Sequence, residues 1–406
     1  MSDLTLAAPG ERRRIRLEYL DGLRGLSALY VTAFHAWLCW TMSGGYSSLA
    51  YYGSAWISFG RQAVAVFIVL SGYCLMLPVV RTADQSLPGG VLEYFKRRAW
   101  RILPPYYGAL VFSVAAMAVL PLWIDTANSW WGTMEPAFGT GNFIGHVLLV
   151  HNLSDQWVYR INSPMWSVAM EWQIYFLFPL VLLPVWRRAG IFALVLTAFV
   201  IGLFPVLVLK KLAWTAPWFV GHFALGMAGA AIGFSPDKVA SGLRHRIPWG
   251  LLAALGTLAF VAISAVSLRV GLADWKYVFL TDVIVGGATI SLMIYCTRFL
   301  TDGTPDSPRP TVLRVLESPS AAFLGKFSYS LYLIHAPVVG GVHVILRQSG
   351  ISSNLLFFGM MFVSVPFSLV VAYGFYLLLE KPVLERRKAS VKEVFPAAAA
   401  ATDAAA

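Results

Sequence analysis

Ten long apolar stretches divide this 406-residue chain and limit its fold more than any other feature. Each is about 20 residues long, the length that an α-helix needs to cross a bilayer of about 30 Å. With 58% hydrophobic and only 13% charged residues, the chain is too apolar for a soluble domain. The sequence therefore predicts an all-α, polytopic integral membrane protein. The predicted helices cover residues 20–41, 61–80, 103–123, 165–186, 190–209, 215–234, 248–270, 276–299, 321–346 and 354–380.

The positions of the 31 lysine and arginine residues indicate how these helices are oriented. Cytoplasmic loops of membrane proteins are enriched in basic residues. With the N-terminus inside, the inner loops and tails hold 22 of the cations and the outer segments hold seven, while Arg24 and Lys326 fall within helices. We therefore predict that both termini are cytoplasmic. We attribute the net charge of +11 to the basic residues of the cytoplasmic loops, so nucleic acid is not expected as a partner.

A single membrane domain is predicted at 20–386, between two short cytoplasmic segments. Residues 1–19 are basic and are not followed by a small-residue cleavage site, so we expect a retained N-terminus. Residues 387–406 are rich in alanine and are expected to be disordered. The three cysteines lie in apolar stretches without metal-ligand spacing or a pairing pattern, and no metal site is predicted.

Arg24 and His35 are ionisable residues within the first apolar stretch. Charged groups inside a bilayer are costly, so they usually serve a function. Eleven residues advance about 16 Å along a helix and complete about three turns, so both side chains point the same way. The spacing predicts one helical face with a fixed cation near its inner end and a titratable base further out.

Ionisable residues in other predicted helices fall at similar depths. Counted from the inner ends, Glu171 lies about 22 Å and His335 about 21 Å into the membrane, level with His35 at about 22 Å. Arg24 at about 6 Å and Lys326 at about 8 Å form a basic layer beneath them. These depths predict a channel that is cationic at its cytoplasmic end and carries acid–base groups in its outer half.

Structural explanations remain open for each of these residues. His35 could form a hydrogen bond between helices. Glu171 could pair with a cation of the basic layer, and His335 could sit at a helix kink beside a proline. The run Lys96-Arg-Arg-Ala-Trp-Arg101 is typical of an anchor at the inner interface, although it could also bind phosphates through charge-assisted hydrogen bonds.

Six segments, taken in order, resemble a known family. They are Leu20-Asp-Gly-Leu-Arg-Gly25 followed by His35, then residues 66–73, 97–106, 163–171 and 324–335, and the terminal Glu380-Lys-Pro382. Together they resemble the acyltransferase 3 membrane family over nearly the whole chain. The family usually has a polar or acidic pair where this chain has Met170-Glu171, so one carboxylate is missing here.

The resemblance implies ten transmembrane helices in a bacterial inner membrane and a form without a fused extracytoplasmic domain. It also implies transfer of an acyl group, often acetyl, from cytoplasmic acyl-coenzyme A to a hydroxyl of a glycan or related small molecule. Arg24 and His35 match the family's essential arginine and histidine. We predict that His35 is the general base or a transient acyl carrier and that Glu171 orients its ring, with Arg24 as the third catalytic residue.

The other site residues are predicted in two groups. Binding of the coenzyme's phosphates is assigned to Arg97, Arg98, Arg101, Lys326 and Arg24. Binding of the acceptor is assigned to His335, Tyr332, Ser71 and Trp166. The roughly 16 Å between Arg24 and His35 is comparable to the length of the coenzyme's pantetheine arm.

Two alternatives remain open from the sequence. The acceptor could be a hydrophobic metabolite such as a macrolide instead of an exopolysaccharide or lipopolysaccharide sugar, although the tryptophans of the predicted outer loop 124–164 suit stacking on sugars. This loop is expected to line an outward pocket. A proton-coupled secondary transporter would also place Arg, His and Glu residues in a membrane, but the sequence shows no internal repeat of the kind that would favour one.

Overall fold

The computed structural model describes residues 17–82, 84–122, 139–271, 274–303 and 307–386. These residues form helices joined by turns, with no β-strand among them. The α-helices are α1 (Tyr19–Ser43), α2 (Ser48–Ser54), α3 (Gly60–Arg81), α4 (Gly90–Val119), α5 (Thr140–Val147), α6 (Met165–Leu177), α7 (Leu183–Leu207), α8 (Phe219–Phe234), α9 (Lys238–Arg246), α10 (Trp249–Val270), α11 (Trp275–Asp302), α12 (Thr311–Leu316), α13 (Pro319–Lys326), α14 (Ser328–Gln348), α15 (Ser353–Gly359) and α16 (Val365–Phe375). Short 3-10 turns occur at Ala55–Ile57, Leu120–Leu122, His151–Leu153 and Ala213–Thr215, and π-helical turns at Phe178–Leu182, Met360–Ser364 and Tyr376–Glu380. Most of the predicted segment 1–19 and the whole tail 387–406 lie outside the described residues.

Eight helical segments of the described chain are long and apolar enough to cross a membrane. One of them, Met165–Leu207, leaves the helical conformation at Gly190, where φ is 81° and ψ is −171°, so it contains two helices that meet there. The 25-residue helix α1 is not among the eight, because its polar residues lower its hydropathy. Each of the ten predicted stretches therefore contains helix, and the all-α polytopic fold is confirmed.

The ninth predicted stretch, 321–346, is not one continuous helix. Its first part is the short helix α13, capped by Ser318, whose side chain accepts a hydrogen bond from the Ala321 amide. The backbone leaves the helical region at Phe327, where φ is −121° and ψ is 18°, and α14 starts at the next residue. Lys326 is therefore an exposed residue at the end of α13 and does not belong to the long helix α14, which carries His335.

Helix α4 begins at Gly90, well before the predicted start at residue 103. Its first turns mix charged residues with apolar ones and are amphipathic in this sense, so a search for purely apolar stretches does not detect them. As a result, the arginines of the 96–101 run lie on a rigid helix that continues into the apolar part of the chain.

Helix α1 packs against α3, α13 and α14. Its contact with α13 is close enough to require glycine, because a Cβ atom at Gly25 would lie 2.6 Å from the backbone nitrogen of Gly325. The pair α3 and α8 is similarly close, since a Cβ at Gly226 would lie 1.9 Å from the Val69 carbonyl oxygen. These contacts fix the position of α1 along α13 and that of α3 along α8. Helix α1 carries Arg24 and His35, and α3 carries Ser71.

Candidate active site

A cavity of about 150 Å³ lies among α1, α3, α4, α6 and α14. Three of the predicted arginines line it, namely Arg24, Arg98 and Arg101, together with the carboxylate of Glu171. The remaining lining residues are Val64, Phe67, Ile68, Ser71, Cys74, Leu75, Ile102, Ser167, Val168, Tyr175, Ser328, Tyr329 and Tyr332. With three cations and one carboxylate, the lining is suited to binding an anion.

Arg24 reaches the cavity from α1 and is held by two neighbours. Its Nη2 donates to the sulfur of Cys74 at 3.0 Å, and its Nη1 lies 3.4 Å from a carboxylate oxygen of Asp21. The contact with Cys74 joins α1 to α3. Arg24 is thus oriented toward the cavity before any ligand binds.

The arginines of α4 separate into two groups. Arg98 and Arg101 are three residues apart, on the same side of the helix, and both line the cavity. The Nε of Arg98 is buried and has no hydrogen-bond partner among the described residues. Arg97 is directed elsewhere, since its Nη2 donates to the Pro88 carbonyl at 2.8 Å. Neither Arg97 nor Lys326 is among the residues that line the cavity.

Glu171 takes part in a chain of hydrogen bonds within the same cavity. The hydroxyl of Tyr175 donates to a Glu171 carboxylate oxygen at 2.5 Å, and it lies 3.0 Å from the Ser71 hydroxyl. Glu171 thus shares the cavity with Arg24. The sequence analysis placed Glu171 level with the two histidines, because it counted depths from the predicted helix ends. Such depths do not include the shift of one helix along its neighbour.

His35 and His335 are in direct contact. Nε2 of His335 lies 3.1 Å from Nδ1 of His35, and the ring centroids are 4.8 Å apart with planes inclined by 62°. Both side chains are buried. The prediction that α1 and α14 place a histidine at the same level is confirmed.

Tyr332 lies between the cavity and the histidine pair. It lines the cavity, and its ring centroid is 5.9 Å from that of His335, one helical turn along α14. Its hydroxyl forms a hydrogen bond of 2.5 Å with Ser167 of α6. The cavity and the histidine pair are therefore parts of one site.

Comparison with known proteins bears on this arrangement. The acyltransferase domain that defines the acyltransferase 3 family matches residues 17–373. The chain belongs to the acyltransferase 3 family. Among its relatives, the O-acetyltransferase OatA of Staphylococcus aureus (strain NCTC 8325 / PS 47) is 22% identical over 351 residues, which cover 79% of this chain and 50% of the relative. A putative O-acetyltransferase of Staphylococcus aureus (strain COL) is 21% identical over 399 residues, which cover 92% of this chain and 58% of the relative.

This member of the acyltransferase 3 family thus spans about half the length of the curated relatives that it matches. No solved structure matches the chain. The family match includes every residue of the cavity and both contacting histidines. It identifies a multi-pass membrane protein, in agreement with the helices described above.

Trp166, a predicted acceptor residue of this family member, lies in a second cluster. The guanidinium of Arg61 stands 5.6 Å from the centre of the Trp166 ring and 5.7 Å from that of Trp218. Arg61 also pairs with the buried carboxylate of Asp282, Nε to Oδ2, at 3.4 Å. Asp282 was missed from the sequence, although an acidic residue inside a predicted span is a signal that marks such sites.

Two further residues of the cavity were missed, Ser167 and Tyr175. They lie four residues before and four residues after Glu171, so all three share one side of the α6 helix. Polar residues at this spacing in an apolar stretch indicate a functional face. The four-residue spacing of these polar side chains is the sequence feature from which both residues could have been predicted.

Residues 139–164, which belong to the predicted outer loop, pack onto the helices. The side chain of Asn162 donates to Ser113 of α4 at 2.9 Å and to the Leu333 carbonyl of α14 at 2.7 Å. The rings of His146 and His151 stack at 3.7 Å. The loop's first part, with Trp130 and Trp131, lies outside the described residues.

Proposed function

We propose that this protein is a membrane O-acyltransferase that transfers an acyl group, most simply acetyl, from acyl-coenzyme A to a hydroxyl group. The observation that carries the proposal is the pairing of a cavity lined by three arginines with a buried histidine on the same helix as one of them. The names of the O-acetyltransferase relatives support the same reaction.

In this proposal the coenzyme's phosphates bind to Arg24, Arg98 and Arg101. Guanidinium groups bind phosphate through paired, charge-assisted hydrogen bonds, and these three have the required charge in one cavity. Because α1 is unbroken from Tyr19 to Ser43, Arg24 and His35 lie about 16 Å apart along it. The pantetheine arm spans this distance and brings the thioester to the histidine.

His35 then acts in one of two ways. As a general base, it takes the proton of the acceptor hydroxyl while that oxygen attacks the thioester carbonyl, and the coenzyme leaves as its thiolate and takes up a proton. As a nucleophile, its ring nitrogen attacks the thioester first and releases the coenzyme, and the hydroxyl then displaces the imidazole from the acyl group. Both routes yield one ester and one free thiol.

The proposal assigns Glu171 to the donor cavity, which it lines together with Arg24, rather than to the ring of His35. Its carboxylate, held by Tyr175, partly balances the three arginine charges and helps to keep Arg24 and Tyr175 in position. We propose that the catalytic contribution of Glu171 is made there, by positioning the groups that bind the donor.

We propose a cell-surface or exported glycan as the acceptor, with a macrolide-like metabolite as the alternative. The aromatic cluster around Arg61 supports an acceptor site away from the donor cavity, because Arg61 lies ten residues, or about 15 Å, along α3 from Ser71. A bacterial inner membrane and two cytoplasmic termini fit the predicted orientation, with the donor on the cytoplasmic side.

The experiment uses the full chain in nanodiscs with acetyl-coenzyme A carrying a labelled acetyl group. We expect the protein to release free coenzyme and to label an acceptor hydroxyl. His35→Ala should lower turnover at least about 100-fold with unchanged expression, whereas His343→Ala, which removes another buried histidine, should retain it. Turnover by the His35→Ala protein at a rate close to that of the parent would exclude the proposed role of His35.

The acceptor class is tested in cells. Mass spectrometry of surface glycans and of secreted metabolites, with and without this protein, should show an acetyl difference on a glycan. A difference confined to a secreted metabolite would replace the glycan by the alternative acceptor. Proton flux into vesicles without any release of coenzyme would instead support a transporter.

A further inference from the structure

We infer that His335 is a positioning residue that makes Nε2 of His35 the reactive nitrogen. This inference deepens the proposed function and rests on it. The sequence predicts His335 as a residue that contacts the substrate. The geometry points instead to a group that acts through His35.

The hydrogen-bond partners of the two rings determine where their protons lie. Nδ1 of His335 lies 3.0 Å from the Leu331 carbonyl oxygen, and Nδ1 of His35 lies 2.9 Å from the Val31 carbonyl oxygen. A carbonyl oxygen can only accept a hydrogen bond, so each neutral ring carries its proton on Nδ1. Nε2 of His335 then carries a lone pair.

That lone pair faces the Nδ1 proton of His35 across 3.1 Å. The N–H of His35 is therefore shared between two acceptors, Val31 and His335, which both favour the same tautomer. In this tautomer Nε2 of His35 has the lone pair, as a base or a nucleophile requires. When Nε2 takes a proton or an acyl group, the ring becomes cationic, and the lone pair of His335 stabilises the charge at Nδ1.

In the familiar serine hydrolase triad, a carboxylate holds the imidazole in this way. Here a neutral imidazole is the acceptor, which avoids placing a further charge among apolar helices. His335 is 0% exposed and lies behind Tyr332, one of the α14 residues that line the cavity. It can therefore influence the reaction through the ring of His35 without touching the substrate.

In the alternative, purely structural role, His335 only stabilises the packing of α14 against α1. The chain offers a matched control, because His343 lies eight residues further along α14 and also contacts α1. Its Nε2 lies 2.7 Å from the hydroxyl of Ser43. Both histidines are buried, but only His335 contacts His35.

The first test compares three variants in nanodiscs. His335→Ala should lower kcat about tenfold, the cost of one hydrogen bond, while KM for the acyl donor stays within about twofold. His335→Gln should restore most of the activity, because its amide oxygen can accept the same hydrogen bond. His343→Ala should retain nearly full kcat. Equal losses in His335→Ala and His343→Ala, or no recovery in His335→Gln, would overturn the inference.

The second test does not depend on the reaction. Nitrogen-15 spectra of the histidine-labelled protein, with His35→Gln used for assignment, should show His35 protonated at Nδ1. In His335→Ala the Nδ1 signal should move toward that of a weaker hydrogen bond. A proton on Nε2 of His35 would overturn the inference even if acyl transfer is confirmed. The expected spectra would support it even if the donor proves not to be acyl-coenzyme A.

Discussion

Single residues of the 96–101 run differ in what they contact, although the sequence treats them alike. Arg101 lines the cavity, whereas Arg97 is bound to the Pro88 carbonyl and lies near Glu93. The two are four residues apart on one helix and have the same charge. Their comparison separates a direct contact with the donor from a general effect of positive charge.

We predict that Arg101→Ala raises KM for acetyl-coenzyme A about 10- to 100-fold, because a charge-assisted hydrogen bond to phosphate is lost. Arg97→Ala should change this KM less than about threefold, since it removes only contacts outside the cavity, with the Pro88 carbonyl and with Glu93. Steady-state kinetics in nanodiscs measures both. Equal increases for the two variants would show that the cavity does not bind the phosphates.

At this scale the sequence predicts contacts within one helix and fails for contacts between helices. Arg24 and His35 share a face because a single unbroken helix fixes their spacing. The position of Glu171 depends on where α6 packs against α1 and α3, and no property of its own segment determines that. The pairing of Arg61 with Asp282 joins residues 221 apart in the chain, and each alone looks like an isolated charge.

At the scale of elements, the segment 139–164 contains a histidine pair whose pKa values differ from that of free histidine. Burial lowers the pKa of His146 from 6.5 to about 4, although the carbonyls of Asn142 and Arg160 at its ring nitrogens oppose the shift. Burial, together with His146, also lowers the pKa of His151. Both rings are therefore neutral in the folded segment near pH 7.

This neutrality predicts acid sensitivity. A histidine whose pKa is lowered by folding stabilises the folded state fully above its unfolded pKa of 6.5, and the stabilisation is lost as pH falls toward about 4. Measured relative to intrinsic exchange, which itself slows as pH falls, hydrogen exchange of residues 139–164 should accelerate between pH 7 and pH 5. In His146→Gln the acceleration should be smaller. An unchanged pH dependence in that variant would contradict the assigned cause.

The sequence predicts that the helices exist but does not predict all of their boundaries. Apolar length predicts that a helix exists, and all ten predicted stretches contain one. It does not predict where α4 starts, because its first turns are amphipathic, nor that α13 and α14 are separated at Phe327. Ser318 and Pro319 are a recognisable helix start within that segment, but a hydropathy average does not register them.

For the molecule as a whole, we predict the orientation in the membrane, with both termini on the cytoplasmic side. Lys276 at the start of α11 and Arg314 in α12 are both exposed and lie on opposite sides of the membrane in the predicted topology. Lys276→Cys should react with a membrane-impermeant maleimide in intact cells, and Arg314→Cys only after the inner membrane is opened. The parent chain, with its cysteines at Cys39, Cys74 and Cys296, is the control. The reverse pattern would place the arginine cavity on the outer side.

The position of the arginines relative to His35 has a consequence for metabolism. In the proposed function they bind the phosphates of the coenzyme, and these phosphates are identical before and after the acyl group has left. The strongest contacts therefore cannot distinguish the donor from the spent coenzyme, so both compete for one cavity. The rate of acylation should then depend on the ratio of acylated to free coenzyme in the cell. With the proposed surface glycan as acceptor, the surface chemistry of the cell would be tied to its supply of activated acyl groups.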